Sequence, residues 1–135
     1  MKVIVDTTVW SLALRRNNPD ADSGTVAELK KLIQDFRVAT IGSIRQELLS
    51  GIRHVAQFEE LREKLRAFPD LLLTAADFEV AAQFFNQCRA KGVQGSNTDF
   101  LICAVAARRD MSIFTTDMDF MRFHKYLGVK LHMPI

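Results

Sequence analysis

The chain has only two cysteines in 135 residues, Cys88 and Cys103, and neither belongs to a CxxC or Cys/His pattern. That excludes a disulfide framework or a zinc site as the organising feature, and both residues, in apolar helical surroundings, are expected to be buried thiols. No apolar run is long enough to cross a bilayer. The N-terminus shows strand pattern at once, with no basic region, apolar stretch and small-residue cleavage site, so a cytoplasmic location is the expectation. Charge of one sign is scarce too: 18 Lys and Arg against 16 Asp and Glu leave a net +2, too little to announce a polyanionic partner by itself. Internal repeats and low-complexity segments are missing. What remains is a globular composition, 48% hydrophobic and 25% charged, with length for one domain over residues 1–135 and no second core.

The most informative stretch is Lys2-Val3-Ile4-Val5-Asp6-Thr7-Thr8, strand-like residues that stop at a carboxylate and two hydroxyls. In open parallel α/β sheets, ligands bind outside the carboxyl ends of the strands, so Asp6 is a site candidate; the plainer reading makes it the N-cap of the next helix. Helical spacing over Thr7–Arg16 ends in the breaker Asn17-Asn18-Pro19-Asp20. A second helix, about Ser23 to Phe36, sets Val26, Leu29, Leu32, Ile33 and Phe36 on one face and Glu28, Lys30, Lys31 and Gln34 on the other. Arg37–Ile41 reads as a second strand. Ser43 with Gln46 then forms a capping-box pattern for a helix that closes at Gly51. Glu47 lies one turn inside it, either as an ordinary solvated Glu or, beside Ile44, Leu48 and Ile52, at the border of the buried face.

His54–Phe68 is an amphipathic helix with Val55, Phe58, Leu61, Leu65 and Phe68 on one stripe. Leu71–Thr74 is a short strand candidate, and Ala75–Lys91 a helix with Val80, Ala81, Phe84, Phe85 and Cys88 inward. A loop over Gly92–Asn97 leads into a helix from Thr98 that is apolar nearly all round until Arg108, hence buried. Asp99 sits in its first turn, where Ser96-x-x-Asp99 also fits a capping box. Met111–Thr116 is a strand running into Asp117-Met118-Asp119-Phe120 and a helix to about Tyr126, before a last strand at Val129–Leu131. Helices separating strands predict an α/β fold, a mostly parallel sheet flanked by helices on both faces.

Asp6 and Asp117 end strands, Asp99 opens a helix, and Glu47 stands one turn behind another such junction. All these junctions lie on one edge of a parallel sheet, so the four carboxylates are expected to converge. Close like charges push carboxylate pKa values up unless a cation compensates, and a hard ion with oxygen ligands, Mg²⁺ or Mn²⁺, answers that need.

The segments Val3-Ile-Val-Asp6-Thr-Thr-Val-Trp10, Ser43-Ile-x-x-Glu47-Leu-Leu-Ser-Gly51-Ile, Asp99-Phe-Leu-Ile-Cys-Ala-Val-Ala106 and Thr116-Asp117-Met-Asp119-Phe120 resemble the PIN-domain ribonucleases, in particular the VapC-like toxins of bacterial toxin–antitoxin pairs. The four motifs span essentially the whole chain, in the family's order and spacing. The resemblance implies a PIN fold and an Mg²⁺- or Mn²⁺-binding quartet of Asp6, Glu47, Asp99 and Asp117, with Asp119 as the alternative fourth acid or a helix cap. It further implies endonucleolytic cleavage of RNA, a cognate antitoxin covering the active site, and a homodimer, for which the second helix and the Val55/Phe58/Leu61 helix are candidate faces. Thr8 would orient a water at the metal, and Glu47 or Asp117 would take the proton in metal-assisted hydrolysis. Arg15, Arg16, Arg45 and Arg53 are candidate RNA phosphate contacts; basic residues near helix ends also simply complement helix dipoles.

Two other classes compete. An aspartyl-phosphate-forming α/β protein also places Asp at a strand tip, but the usual phosphatase pattern wants a second Asp where Thr8 stands. A PIN-like scaffold that binds RNA or protein without cutting needs no complete acidic set, and here all four positions are filled.

Overall fold

A computed structural model describes residues 1–14 and 23–134. Four short parallel strands, β1 (Val3–Val5), β2 (Val38–Ala39), β3 (Ser112–Phe114) and β4 (Lys130–Leu131), form one sheet in the order β2-β1-β3-β4. Among the described residues seven helices accompany them: α1 (Thr7–Leu14), α2 (Ser23–Gln34), α3 (Gly42–Leu49), α4 (Val55–Leu65), α5 (Ala75–Ala90), α6 (Asn97–Arg109) and α7 (Asp119–Leu127). The expected α/β architecture with a parallel sheet is the one observed.

β1 is central and wholly buried, which is why it reads as unbroken Val-Ile-Val rather than as an alternating strand. Its register aligns Val3 with Val38 on one side and Val5 with Phe114 on the other. From β1 the chain crosses to β2 on one flank and returns to β3 on the other, so the strand order reverses at β1/β3, where ligand crevices open in such sheets. Behind this edge, α6 buries every residue from Phe100 to Ala106, as its all-round apolar sequence predicts. Phe100 also joins an aromatic cluster with Phe85, Phe120 and Phe123, ring centres about 5 Å apart along the chain of contacts. Cys88 and Cys103 are buried free thiols, as expected. No helix among the described residues is long and apolar enough to cross a membrane.

Several local expectations fail for identifiable reasons. Leu71–Thr74 is not a strand: only Asp70 bridges to Thr40, and Leu72 is 91% exposed. Phe36, expected inward, is 88% exposed, because it occupies the left-handed position (φ 56°) that terminates α2. There Arg37 N–H donates to Leu32 O and Phe36 N–H to Ile33 O, a Schellman ending in which glycine is the usual occupant. Glu28, expected on the solvent face of α2, is buried against His132 Nε2 at 3.1 Å, a partner 104 residues away. Val55 lies exposed at the start of α4. The Ser43/Gln46 capping box does not form either; Ile41 holds the N-cap position without a side-chain bond.

The capping box that does form outside the site is Thr74/Asp77, at the start of α5. Asp77 is completely buried, and its carboxylate takes Arg109 through both oxygens (2.7 and 3.1 Å), Arg108 (2.7 Å) and the Thr74 amide (2.8 Å). Arg109 reaches on to Leu72 O, so one buried anion ties the start of α5 to the end of α6. These arginines thus serve the interior rather than a cleft.

Candidate functional site

Asp6 follows the last residue of β1, and its carbonyl accepts the first α1 bonds from Val9 and Trp10. It therefore stands where an N-cap would. Its carboxylate, however, is engaged across the sheet: Oδ2 accepts the hydroxyls of Thr115 (2.7 Å) and Thr8 (3.0 Å). Thr115 stands one position beyond the paired Phe114 of β3, level with Asp6. Its Oγ1 also accepts the Asp117 N–H at 3.0 Å. Asp117 in turn accepts the Asp119 N–H on Oδ1 at 2.9 Å, just ahead of Met118, which holds the N-cap position of α7 without a side-chain bond. Asp119 is exposed, in the first turn of that helix.

Asp99 closes the expected capping box with Ser96, each side chain accepting the other residue's amide (3.1 and 3.0 Å). Cap and site thus coincide in one residue, since one carboxylate oxygen satisfies the helix end and the residue still faces the cleft. The preceding Gly95 is required by packing: a Cβ there would meet the Phe123 ring at 2.7 Å and the Phe100 ring at 3.0 Å, so the loop runs flat against the aromatic cluster and delivers Asp99 to the sheet edge. Glu47, on α3, is exposed rather than at the buried border, and Thr7 Oγ1 donates to its Oε2 at 2.7 Å.

All four acids line one open cavity of about 370 Å³, together with Thr7, Thr8, Ser11, Leu12 and Thr116. Among the described residues, that lining carries four carboxylates and no cation. Burial raises the pKa of Asp6 most, opposed by hydrogen bonds from Thr115, Thr8 and the Thr7 amide and reinforced by the charge of Asp117. Asp99 is raised in the same way, by burial first, against its bonds with Ser96 and with the charges of Asp6 and Asp117 adding to the rise. Three carboxylates therefore feel one another across the cavity. Among the described residues no three acidic, imidazole or thiol groups close into a finished ligand cage. The donor set is nevertheless all oxygen, anionic and uncompensated, which fits a hard divalent cation and fits no soft metal.

The basic candidates separate. Arg45 places its guanidinium on Asp70 (Nε at 3.1 Å, Nη2 at 3.0 Å) and on the carbonyls of Leu65 and Phe68, and so fastens the segment after α4. Arg53 is exposed after α3. Arg15 and Arg16 lie outside the described residues. Thr8, expected to orient a water, bonds Asp6 and the Thr116 amide (3.1 Å). Thr115 and Thr7 were not foreseen as site residues. The signal for Thr115 was present in the sequence, because Ile113-Phe114-Thr115-Thr116-Asp117 mirrors Ile4-Val5-Asp6-Thr7-Thr8 as an apolar strand ending in hydroxyls beside an acid.

No curated protein matches the sequence. The fold is similar to several solved structures: FitAcB from Neisseria gonorrhoeae, with 22% identity, TM-score 0.77 and 98% and 97% of the two chains covered; and VapBC2 from Rickettsia felis bound to a DNA fragment from their promoter, with 19% identity, TM-score 0.78 and 98% of each chain. A member of the VapBC family of toxin–antitoxin systems from Mycobacterium tuberculosis, VapBC-5, is similar at 23% identity and TM-score 0.63 over 90% and 89% of the chains. At these identities the likeness is one of fold. The sequence profile of the PIN domain matches residues 3–126, and the chain belongs to the PIN domain family.

Proposed function

We propose that the protein is a divalent-metal-dependent endoribonuclease, the toxin of a toxin–antitoxin pair, working in the cytoplasm as a homodimer. The observation that carries this reading is the convergence of Asp6, Glu47, Asp99 and Asp117 on one cavity at the carboxyl ends of β1 and β3. PIN domains are generally nucleases that use divalent metals. One of the similar structures, VapBC-5, is named as a member of the VapBC family of toxin–antitoxin systems, which supports an antitoxin as partner.

In this reading Asp6, Asp99 and Asp117 hold Mg²⁺ or Mn²⁺, with Glu47 completing the set. When bound, the ion supplies charge neutralisation for the phosphate oxygens and a Lewis acid at the scissile bond. Glu47, solvent-exposed and steadied by Thr7, accepts the proton of the attacking water. Asp117 is kept for metal holding because its Oδ1 is already bonded to the Asp119 amide. Arg53, exposed after α3, contributes a phosphate contact, which makes binding salt-sensitive. The aspartyl-phosphate alternative has no support in PIN membership. A second reading, a PIN scaffold that binds without cutting, draws on the unfinished ligand cage among the described residues.

Purified protein incubated with RNA in Mg²⁺ or Mn²⁺, and in EDTA, separates the readings. Internal cleavage that requires the ion supports the nuclease; retention of RNA with no product in any metal supports the binding scaffold; cleavage unaffected by EDTA rules out the metal assignment.

A further inference from the structure

We propose that Thr115 is the positioning residue of the acidic site, a single hydroxyl that sets Asp6 and Asp117 relative to each other. The inference rests on the metal-holding role given to those two acids above. A hydroxyl has one proton to donate and two lone pairs to accept with. Thr115 Oγ1 donates to Asp6 Oδ2 at 2.7 Å and accepts the Asp117 N–H at 3.0 Å. One oxygen thereby joins the side chain of the acid beyond β1 to the backbone of the acid beyond β3.

Thr8 presents the same chemistry at 3.0 Å to the same Asp6 oxygen, but the amide it accepts belongs to Thr116, which carries no charge. Thr115 alone among the described residues therefore couples two of the four acids through one atom. Two further features suit it to this task. The half-buried residue directly continues β3, whose last pair, Val5 with Phe114, fixes its height beside Asp6. Threonine is also β-branched, so few χ1 wells are open to it, and the Thr8 hydroxyl, 3.3 Å from Thr115 Oγ1, stands beside it over the same carboxylate. With both hydroxyls on Oδ2, the carboxylate plane of Asp6 cannot swing without breaking a charge-assisted O–H bond.

The test uses the full chain and its isosteric variant Thr115→Val, which removes donor and acceptor together, beside Thr115→Ser, which keeps both. Mn²⁺ binding is read from the paramagnetic resonance signal of the free ion, with no RNA present. Fold is checked by melting in EDTA, followed by the fluorescence of Trp10, the one tryptophan. Partners of this kind behind metal ligands typically contribute 10- to 100-fold in affinity, so Thr115→Val is expected to raise the Mn²⁺ Kd by about that factor and Thr115→Ser by less than about threefold. At saturating Mn²⁺ the KM for RNA should stay unchanged in both.

Wild-type Mn²⁺ affinity in a folded Thr115→Val overturns the inference, as does a Thr115→Ser as weak as Thr115→Val. If Thr115→Val melts without a cooperative transition, Thr115→Ala is measured under the same criteria. Asp6→Asn separates the two levels of the argument. Weak binding by Asp6→Asn with normal binding by Thr115→Val defeats the positioning role alone, whereas normal binding by Asp6→Asn defeats the site assignment and the positioning role together.

Discussion

Replacing Asp77 by Asn should be among the most damaging single changes outside the site. The carboxylate is fully buried and satisfies two guanidinium groups and the Thr74 amide, so the amide variant removes the charge and leaves Arg108 and Arg109 facing a group that cannot neutralise them. Breaking a buried pair costs roughly 3–5 kcal/mol when the remaining charge stays dry. Here Arg108 and Arg109 keep 36% and 22% of their side-chain surface exposed and regain water, which lowers the figure. The expected cost is about 3 kcal/mol, equivalent to a Tm lower by about 10 °C for a chain of this size. The arginines hold the Asp77 carboxyl well below the usual carboxylate range. A depressed native pKa gives stability that is present in full above the unfolded value near 4 and is lost as pH falls through the native value. Urea unfolding of wild type and Asp77→Asn from pH 7 to pH 2 should therefore show a large gap that narrows below about pH 4. A gap under about 0.5 kcal/mol at pH 7, the range of an ordinary surface change, or one constant down to pH 2, would refute this account of the α5–α6 junction.

Asp99 carries the opposite sign. Its native pKa is raised, chiefly by burial, so ionisation at neutral pH opposes folding, and the stability it contributes in acid is lost as pH rises through the native value. Asp99→Asn keeps an oxygen for the Ser96 amide, so in EDTA at pH 7 it should melt at or a few degrees above wild type, and Mn²⁺ should raise the wild-type Tm past it; a markedly lower metal-free Tm would contradict the reasoning. Phe36 holds a left-handed conformation that costs a non-glycine residue about 1 kcal/mol, and its ring is solvent-exposed. Phe36→Gly should accordingly raise stability by about 0.5–1 kcal/mol in urea unfolding, and a loss would show that the exposed ring has a packing partner.

The elements legible in the sequence are those with a single physical cause. An all-apolar Val3-Ile4-Val5 has no place but a central strand, and an apolar Phe100–Ala106 none but the interior. Strand-then-acid punctuation at Asp6 and Asp117 carried the site, because parallel topology turns sequence position into a shared edge. The illegible features depend on partners far along the chain. Glu28 reads as solvated until His132 is brought to it, and Asp77 reads as an ordinary first-turn acid until Arg108 and Arg109 arrive from α6. The partners of Arg45 are equally hidden from local pattern, its acceptors lying 20 to 25 positions on. Phe36 misled differently: helical periodicity ran one residue past the point where backbone capping, not side-chain burial, decides the conformation.

The most direct test of the account is the rate of RNA cleavage by Asp99→Asn in saturating Mn²⁺, prepared identically to the wild type and shown to be folded by its melt. The account predicts metal-dependent cleavage by the wild type and a loss of about a hundredfold or more in the variant, since a ligand that also holds the α6 cap cannot be replaced by a neighbour. Cleavage by the folded variant at the wild-type rate would mean that the chemistry does not take place in the cavity of Asp6, Glu47, Asp99 and Asp117.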